Sequence, residues 1–180
     1  MARGRGRLSR LLVYWLLVAA PLVGKRGGFC LAVMAQLSQT RFLQTLPDVV
    51  IPQLPAHWGR VQVKQPWGFL VQFHFGEPNL HYEVVKAYRT GGYEVGLHFE
   101  DKRHELNRFL LDGFRRHLLE IKHTLGDSIE AEMWDRGWTK VYEVIPEESL
   151  TTDYQERVAA RLVEMINCFQ PILVGLRAAA

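Results

Sequence analysis

Three histidines and two glutamates recur in the middle of this 180-residue chain, at positions where the sequence predicts β-strands. Aromatic and β-branched residues alternate with polar ones over 69–75, 80–88 and 93–100, which is the pattern of a strand. Two imidazoles and a carboxylate can bind a divalent metal and leave coordination positions open. A histidine–carboxylate pair can also transfer protons near neutral pH. The candidate metal ligands are His74, His81, Glu83, His98 and Glu100.

The register of these strands decides whether the five side chains meet. With turns at 76–79 and 89–92, Phe73 is expected opposite Tyr82, and Tyr82 opposite Phe99. This pairing aligns apolar residues across three strands, and a one-residue slip would move them to the other face. An alternative interpretation of the polar face is a solvated sheet surface with favourable His–Glu pairs. The same register sets His74 opposite His81, His81 opposite Glu100, Gln72 opposite Glu83, and Glu83 opposite His98.

The segment Glu100-Asp101-Lys102 lies between a predicted strand and a predicted helix. Restriction-type nucleases use an acid-x-Lys segment in which the acid binds magnesium and the lysine polarises the attacking water. Such nucleases also need an acid on the neighbouring strand, and Glu83 shares the face of Glu100, two residues out of line. Asp101 as the N-cap of the following helix explains the segment equally well.

A basic stripe on the predicted helix is a candidate nucleic-acid contact. Arg108, Arg115 and Lys122 recur every seven residues and therefore lie on one side of the helix. Such a stripe can follow the phosphates of a nucleic acid. Acidic residues are interspersed with it, so a solvated helix face with intrahelical ion pairs is the alternative.

Helices are expected at both ends of the predicted sheet and within it. A short helix over 36–46 should be stopped by Pro47, because proline cannot donate the helical hydrogen bond. A long helix over 101–125 should end at Gly126. A last helix should begin near Thr151 or Thr152 and end before Pro171.

Further strands complete the predicted fold. Residues 60–64 should add a fourth strand to the three already described, and 128–134 with 138–145 should form a second hairpin. In that hairpin Glu132 is expected opposite Lys140. The predicted class is α+β: an antiparallel sheet made of a four-strand meander, then a helix, a hairpin and a helix, with the helices on one face.

Composition predicts one folded domain behind a distinct amino-terminal segment. The chain is 48% hydrophobic and 23% charged, which excludes a disordered chain, a collagen and a coiled coil. Six of its 22 basic residues and none of its 19 acidic residues lie in 1–33, so the remainder is mildly acidic. The basic start and the apolar run over 11–23 are typical of a signal or anchor segment. The alternative is that 1–33 is upstream sequence and the chain starts at Met34.

Two localisations follow from these alternatives. If the chain starts at Met34, we expect a cytoplasmic single domain over 34–180 whose body makes no membrane contact. If 1–33 is a real signal segment, we expect a secreted or anchored protein. The two cysteines, Cys30 and Cys168, exclude a disulfide framework and a cysteine-based zinc cluster.

Part of the chain carries a family resemblance. The stretch from YEVGLHFED (93–101) through ELNRFLLDGFRRHLLEIKHTLGDSIEAEMWDRGWTKVYEVI (105–145) resembles a bacterial domain of unknown function. That domain is often the carboxyl-terminal part of restriction-nuclease-like proteins. The shared pattern, over about residues 90–170, is a strand, a helix with a Phe/Leu face and a lysine near its end, a Leu-Gly stop, an acidic strand containing Trp, and a basic hairpin partner. The resemblance implies a partner near DNA-handling machinery and no catalysis by the domain itself.

The sequence as a whole predicts a non-enzymatic binding or adaptor domain that contacts another protein through its sheet face or edge, without a cofactor. The alternative is a metal-dependent hydrolase or nuclease-accessory domain that uses the His/Glu cluster and a divalent metal. The order of elements alone also favours a type III secretion-chaperone-like protein. Motifs for a serine nucleophile (G-x-S-x-G) and for phosphate-binding glycine loops are missing from the sequence.

Overall fold

An antiparallel sheet lies at the centre of the fold, in a computed structural model that describes residues 35–65 and 67–178. In those residues it has six strands in the order β1-β2-β3-β4-β6-β5, and every neighbouring pair is antiparallel. The predicted α+β class is therefore confirmed, and the second hairpin joins the meander through its second strand. The strands are β1 Gln62–Lys64, β2 Leu70–His74, β3 Leu80–Lys86, β4 Tyr93–Phe99, β5 Glu130–Met133 and β6 Thr139–Ile145.

The core forms between one face of this sheet and the helices. Period-two alternation brings the apolar side chains of the central strands to a single face, where the helices cover them. The same alternation places the polar residues of these strands on the opposite face, where His81, Glu83 and His98 are also buried. The described helices are α1 Gln39–Val50, α2 His104–Arg116, α3 Leu118–Leu125 and α4 Thr152–Ala178.

The register of β2 with β3 is as predicted, whereas the register of β3 with β4 differs by two residues. Phe73 pairs with Tyr82, but Tyr82 pairs with Leu97 and not with Phe99. The chain leaves the β3–β4 ladder after Lys86, and a six-residue connection over 87–92 replaces the expected four-residue turn. An even shift keeps every side chain on its predicted face and changes only its partner.

The predicted helix over 101–125 is two helices that meet at His117, whose φ of −97° and ψ of 5° interrupt the helical backbone. The first begins at His104, so Asp101 is not its N-cap. The Asp101 carboxylate instead accepts hydrogen bonds from the backbone and guanidinium of Arg103. Gly126 ends the second helix as expected, with a φ of 100° that favours glycine.

Both prolines that were expected to stop helices lie inside them. Pro47 is buried within α1, and the Gln65 side chain compensates for the missing N–H. The Gln65 Nε2 donates to the carbonyl oxygens of Leu43 and Gln44, at 3.1 Å each. Leu43 is the residue whose helical hydrogen bond Pro47 cannot make.

The last helix continues past Pro171 because its end is packed. Leu173 is buried in the core and Leu176 packs against it. Leu176 fits over Gly113 of α2, where even a Cβ atom would overlap its side chain. This contact holds the carboxyl-terminal turns of α4 against the domain.

Helix α4 is also long and apolar enough to cross a membrane, and half of its most apolar window is buried inside the domain. Core helices pass the same test of length and composition, so this match is weak support for a membrane span. The predicted signal or upstream segment, 1–33, lies outside the described residues.

Candidate metal-binding site

Two histidines and a glutamate meet on the polar face of the sheet. His81 of β3 lies directly opposite His98 of β4, and Glu100 follows the end of β4. The two imidazole rings are 5.7 Å apart between centroids and nearly parallel. One potential ligand atom from each of the three side chains lies within 4.8 Å of the others. The two-residue shift in register is what brings His81 to His98.

His81 is oriented by contacts at both of its ring nitrogens. Its Nδ1 lies 2.9 Å from the carbonyl oxygen of Pro78, which can only accept, so Nδ1 carries the proton. The other nitrogen, Nε2, lies 3.0 Å from the Gln72 amide nitrogen and 3.4 Å from a Glu83 oxygen. A histidine that donates one N–H to a backbone carbonyl is the arrangement common among metal ligands.

His98 is the most unusual side chain of the group. It is only 2% exposed, and neither ring nitrogen has a hydrogen-bond partner among the described residues. Its Nε2 lies 3.3 Å from Glu94 and its Nδ1 lies 3.7 Å from Glu100. A buried ring between two carboxylates needs a positive charge, which a proton on the ring or a bound cation can supply.

The carboxylates make the site electronegative. Burial alone would lower the pKa of His98, but the direct contacts with Glu100 and Glu94 and the charge of Glu83 raise it to about 9. Burial alone would raise the pKa of Glu83 and Glu94. Contacts with His81 and His98 respectively dominate, and each carboxyl pKa is lowered. The site therefore favours positive charge, either as a proton on His98 or as a metal ion.

Lys140 supplies one compensating charge. It pairs with His98 across β4 and β6, and its Nζ lies 2.8 Å from a Glu94 oxygen. The same nitrogen is 3.8 Å from the centroid of the Tyr142 ring and 3.6 Å from Glu132, the predicted cross-strand partner of Lys140. One ammonium does not balance the carboxylates of Glu83, Glu94 and Glu100, so the surroundings of the two histidines favour a cation.

The other two predicted ligands lie beside the group and not in it. Glu83 accepts a hydrogen bond from Gln72 at 2.7 Å, and one of its oxygens lies 3.4 Å from the His81 Nε2. His74 ends β2, and its Nδ1 is buried without a partner among the described residues. Burial, together with the charges of Lys64 and His81, lowers the pKa of His74.

Glu94 is a site residue that the sequence reasoning missed. It lies four residues before His98 on β4 and therefore on the same face, which the alternation rule already indicates. The four-residue spacing between Glu94 and His98 was therefore enough to predict that both lie on the polar face.

The positive charges of the basic stripe are paired with acidic side chains of the same chain. Arg108 lies 3.9 Å from Glu105, and Lys122 lies 3.5 Å from Glu130. Arg115 lies 3.8 Å from Asp112 and donates to the backbone carbonyl of Ala131 on the outermost strand. These contacts leave a surface of mixed charge, and binding of nucleic acid stays a prediction.

Comparisons with protein-family models, curated proteins and solved structures found no match to this chain.

Proposed function

We propose that this domain binds one divalent transition-metal ion through His81, His98 and Glu100. The observation that carries the proposal is the buried His98 ring, which has no hydrogen-bond partner among the described residues while two further ligand groups lie beside it. A bound ion would satisfy the ring and neutralise the carboxylates in one step.

The donor set favours zinc over magnesium or calcium. Two imidazole nitrogens and one carboxylate oxygen suit zinc and similar transition metals, whereas hard cations prefer oxygen alone. Ligands about 2.0–2.2 Å from a tetrahedral ion are about 3.4 Å apart from one another. The three donor atoms, now within 4.8 Å, need only small side-chain movements to reach that spacing.

The position of the ligands favours a structural tie over catalysis. His81 and His98 are each 2% exposed, and they belong to two neighbouring strands. Glu100, whose side chain is 21% exposed, belongs to the segment that leads into α2. An ion at this point would link β3, β4 and the start of α2, and would stabilise the folded state by mass action.

Metal content of the full chain, purified without a polyhistidine tag, tests the proposal. We expect about one zinc ion per chain by mass spectrometry, and zinc binding by calorimetry after removal with a chelator. His98→Gln should abolish both, and Glu100→Gln should weaken binding at least tenfold. His123→Ala, which removes an exposed histidine of α3, is the matched control and should keep the ion.

The proposal fails if the wild-type chain has no zinc and shows no calorimetric binding at pH 8. It also fails if His98→Gln retains the stoichiometry of the wild type. Circular dichroism of each variant separates loss of the ion from loss of the fold. A protein partner that contacts the sheet face or edge stays a prediction that metal binding does not address.

A further inference from the structure

A second site lies on the apolar side of the sheet, where the β2–β3 turn meets the end of α4. It is a pocket of about 190 Å³ with a largely apolar wall. Tyr82 lines it, while the neighbouring His81 points to the opposite face, so the two sites are separate. Pockets for drug-sized ligands have about 300–1,000 Å³, so the ligand here must be small. The apolar wall consists of Phe75, Leu80, Tyr82, Leu173 and Val174.

Gln170 gives the wall of this pocket a hydrogen-bond donor. Its side-chain oxygen accepts from the Tyr82 hydroxyl at 3.0 Å, which fixes the orientation of the amide. Its nitrogen has no hydrogen bond to any described residue, although Gln170 is only 7% exposed. Because Gln170 lines the pocket, its NH₂ group can donate to an acceptor atom of a ligand.

Arg177 gives the rim of the pocket a positive charge. Its Nη2 donates to Glu77 at 2.8 Å, and both side chains are partly exposed. Exposed ion pairs of this kind are weak, so a competing carboxylate can displace Glu77. The planar guanidinium has further donors, which bind carboxylates in pairs.

We infer that this pocket binds a small monocarboxylic acid with an apolar body, of the size of hexanoate or benzoate. The carboxylate takes the place of Glu77 on Arg177 and accepts from the Gln170 amide. The apolar body lies against Leu80, Leu173 and Val174. Glu77 then acts as an internal competitor, which moves outward when the acid enters.

Two substitutions with opposite expected effects test this inference on the full chain. Nuclear magnetic resonance titration with hexanoate should give saturable shifts in the wild type. Arg177→Gln should weaken hexanoate binding about tenfold or more, because the cation is lost. Glu77→Gln should strengthen binding severalfold, because the competing carboxylate is lost while the shape is kept. Arg108→Gln, an exposed arginine on α2, is the matched control and should leave binding unchanged.

The choice of probe completes the test. Hexylamine has the same apolar body with the opposite charge, and hexan-1-ol has none, so both should bind much more weakly than hexanoate. Val174→Trp should fill the pocket and remove the shifts. Equal binding of hexanoate and hexylamine, or equal affinity in Arg177→Gln and Glu77→Gln, would overturn the inference. So would saturable binding that survives Val174→Trp.

Discussion

The indole of Trp134 stands edge-on to the imidazole of His98, with 5.9 Å between the ring centroids and 76° between their planes. The Lys140 ammonium lies 5.6 Å from the same indole. The charge on His98 therefore alters the electrostatic environment of the Trp134 indole, which is partly exposed.

This contact predicts an optical signal for metal binding. Zinc must displace the proton from His98, which changes the charge beside the indole, so the intrinsic fluorescence should change saturably on titration. Trp134→Phe should remove most of the change without abolishing calorimetric binding. Trp67→Phe, at an exposed tryptophan distant in sequence, should retain it. A change that persists in Trp134→Phe would place the ion elsewhere.

Zinc affinity should rise with pH. Because the pKa of His98 is raised to about 9, the ring is protonated in the free protein at neutral pH, and each ion bound releases that proton. Between pH 6 and pH 8 the association constant should increase at least about tenfold per pH unit. Calorimetry in two buffers of different ionisation enthalpy measures the protons released. Fewer than about 0.5 protons per ion at pH 7 would contradict the expectation.

Without metal, His98 should stabilise the folded chain in its protonated form. Its folded-state pKa of about 9 exceeds the ordinary value of 6.5, so the contribution is complete below pH 6.5 and is lost as the pH rises through about 9. The full contribution is on the order of 3 kcal/mol. Urea unfolding in a chelator should show the stability difference between wild type and His98→Gln shrinking from pH 6 to pH 9.5. A difference that stays constant over this range would be inconsistent with a raised pKa.

The Gln65 side chain should contribute about 1 kcal/mol to the unfolding free energy, because its amide donates to the Leu43 carbonyl that Pro47 leaves unpaired. Gln65→Ala should therefore destabilise the protein more than Gln53→Ala, whose side chain donates to the Val49 carbonyl at the exposed end of α1. Pro47→Ala restores a backbone N–H to the helix. In a double-mutant cycle it should reduce the cost of Gln65→Ala, and strict additivity would contradict this role.

Gly113 should tolerate no side chain. An added methyl group overlaps Leu176, so Gly113→Ala should destabilise by about 1–3 kcal/mol despite the better helix propensity of alanine. Gly175→Ala is the control, because open space surrounds that position, and it should be neutral or stabilising. In a Leu176→Ala background, Gly113→Ala should reduce the unfolding free energy by less than it does in the wild type. Chemical unfolding of the single and double variants measures this difference.

The faces of the strands were predictable from the sequence, but one register was not. Period-two alternation assigned His81, His98 and Glu100 to the polar face whatever the pairing. Their partners depended on where the chain leaves the ladder after Lys86. Gly91 and Gly92, with φ values of 72° and 120°, permit the six-residue connection. Their presence in the sequence predicted a turn at this point but not the number of residues in it. The even shift placed His81 beside His98 and left Glu100 near both.

The helix ends were harder to predict because their causes are distant in sequence. Pro47 breaks a local rule, and the compensating amide comes from Gln65, which lies in a different segment. Pro171 breaks the same rule, and the contact between Leu176 and Gly113 joins two helices far apart in the chain. Neither contact can be predicted from the hydrophobic periodicity of a single segment.

The hydrogen bonds from Arg115 to the Ala131 carbonyl have a consequence for self-association. Strand β5 is an outer strand of the sheet, and open strand edges recruit the edges of other molecules into growing aggregates. The guanidinium blocks this edge at its middle, in the way that charged residues protect natural sheets. Strand addition at β5 would have to displace the Arg115 guanidinium from the Ala131 carbonyl, which opposes aggregation through this edge.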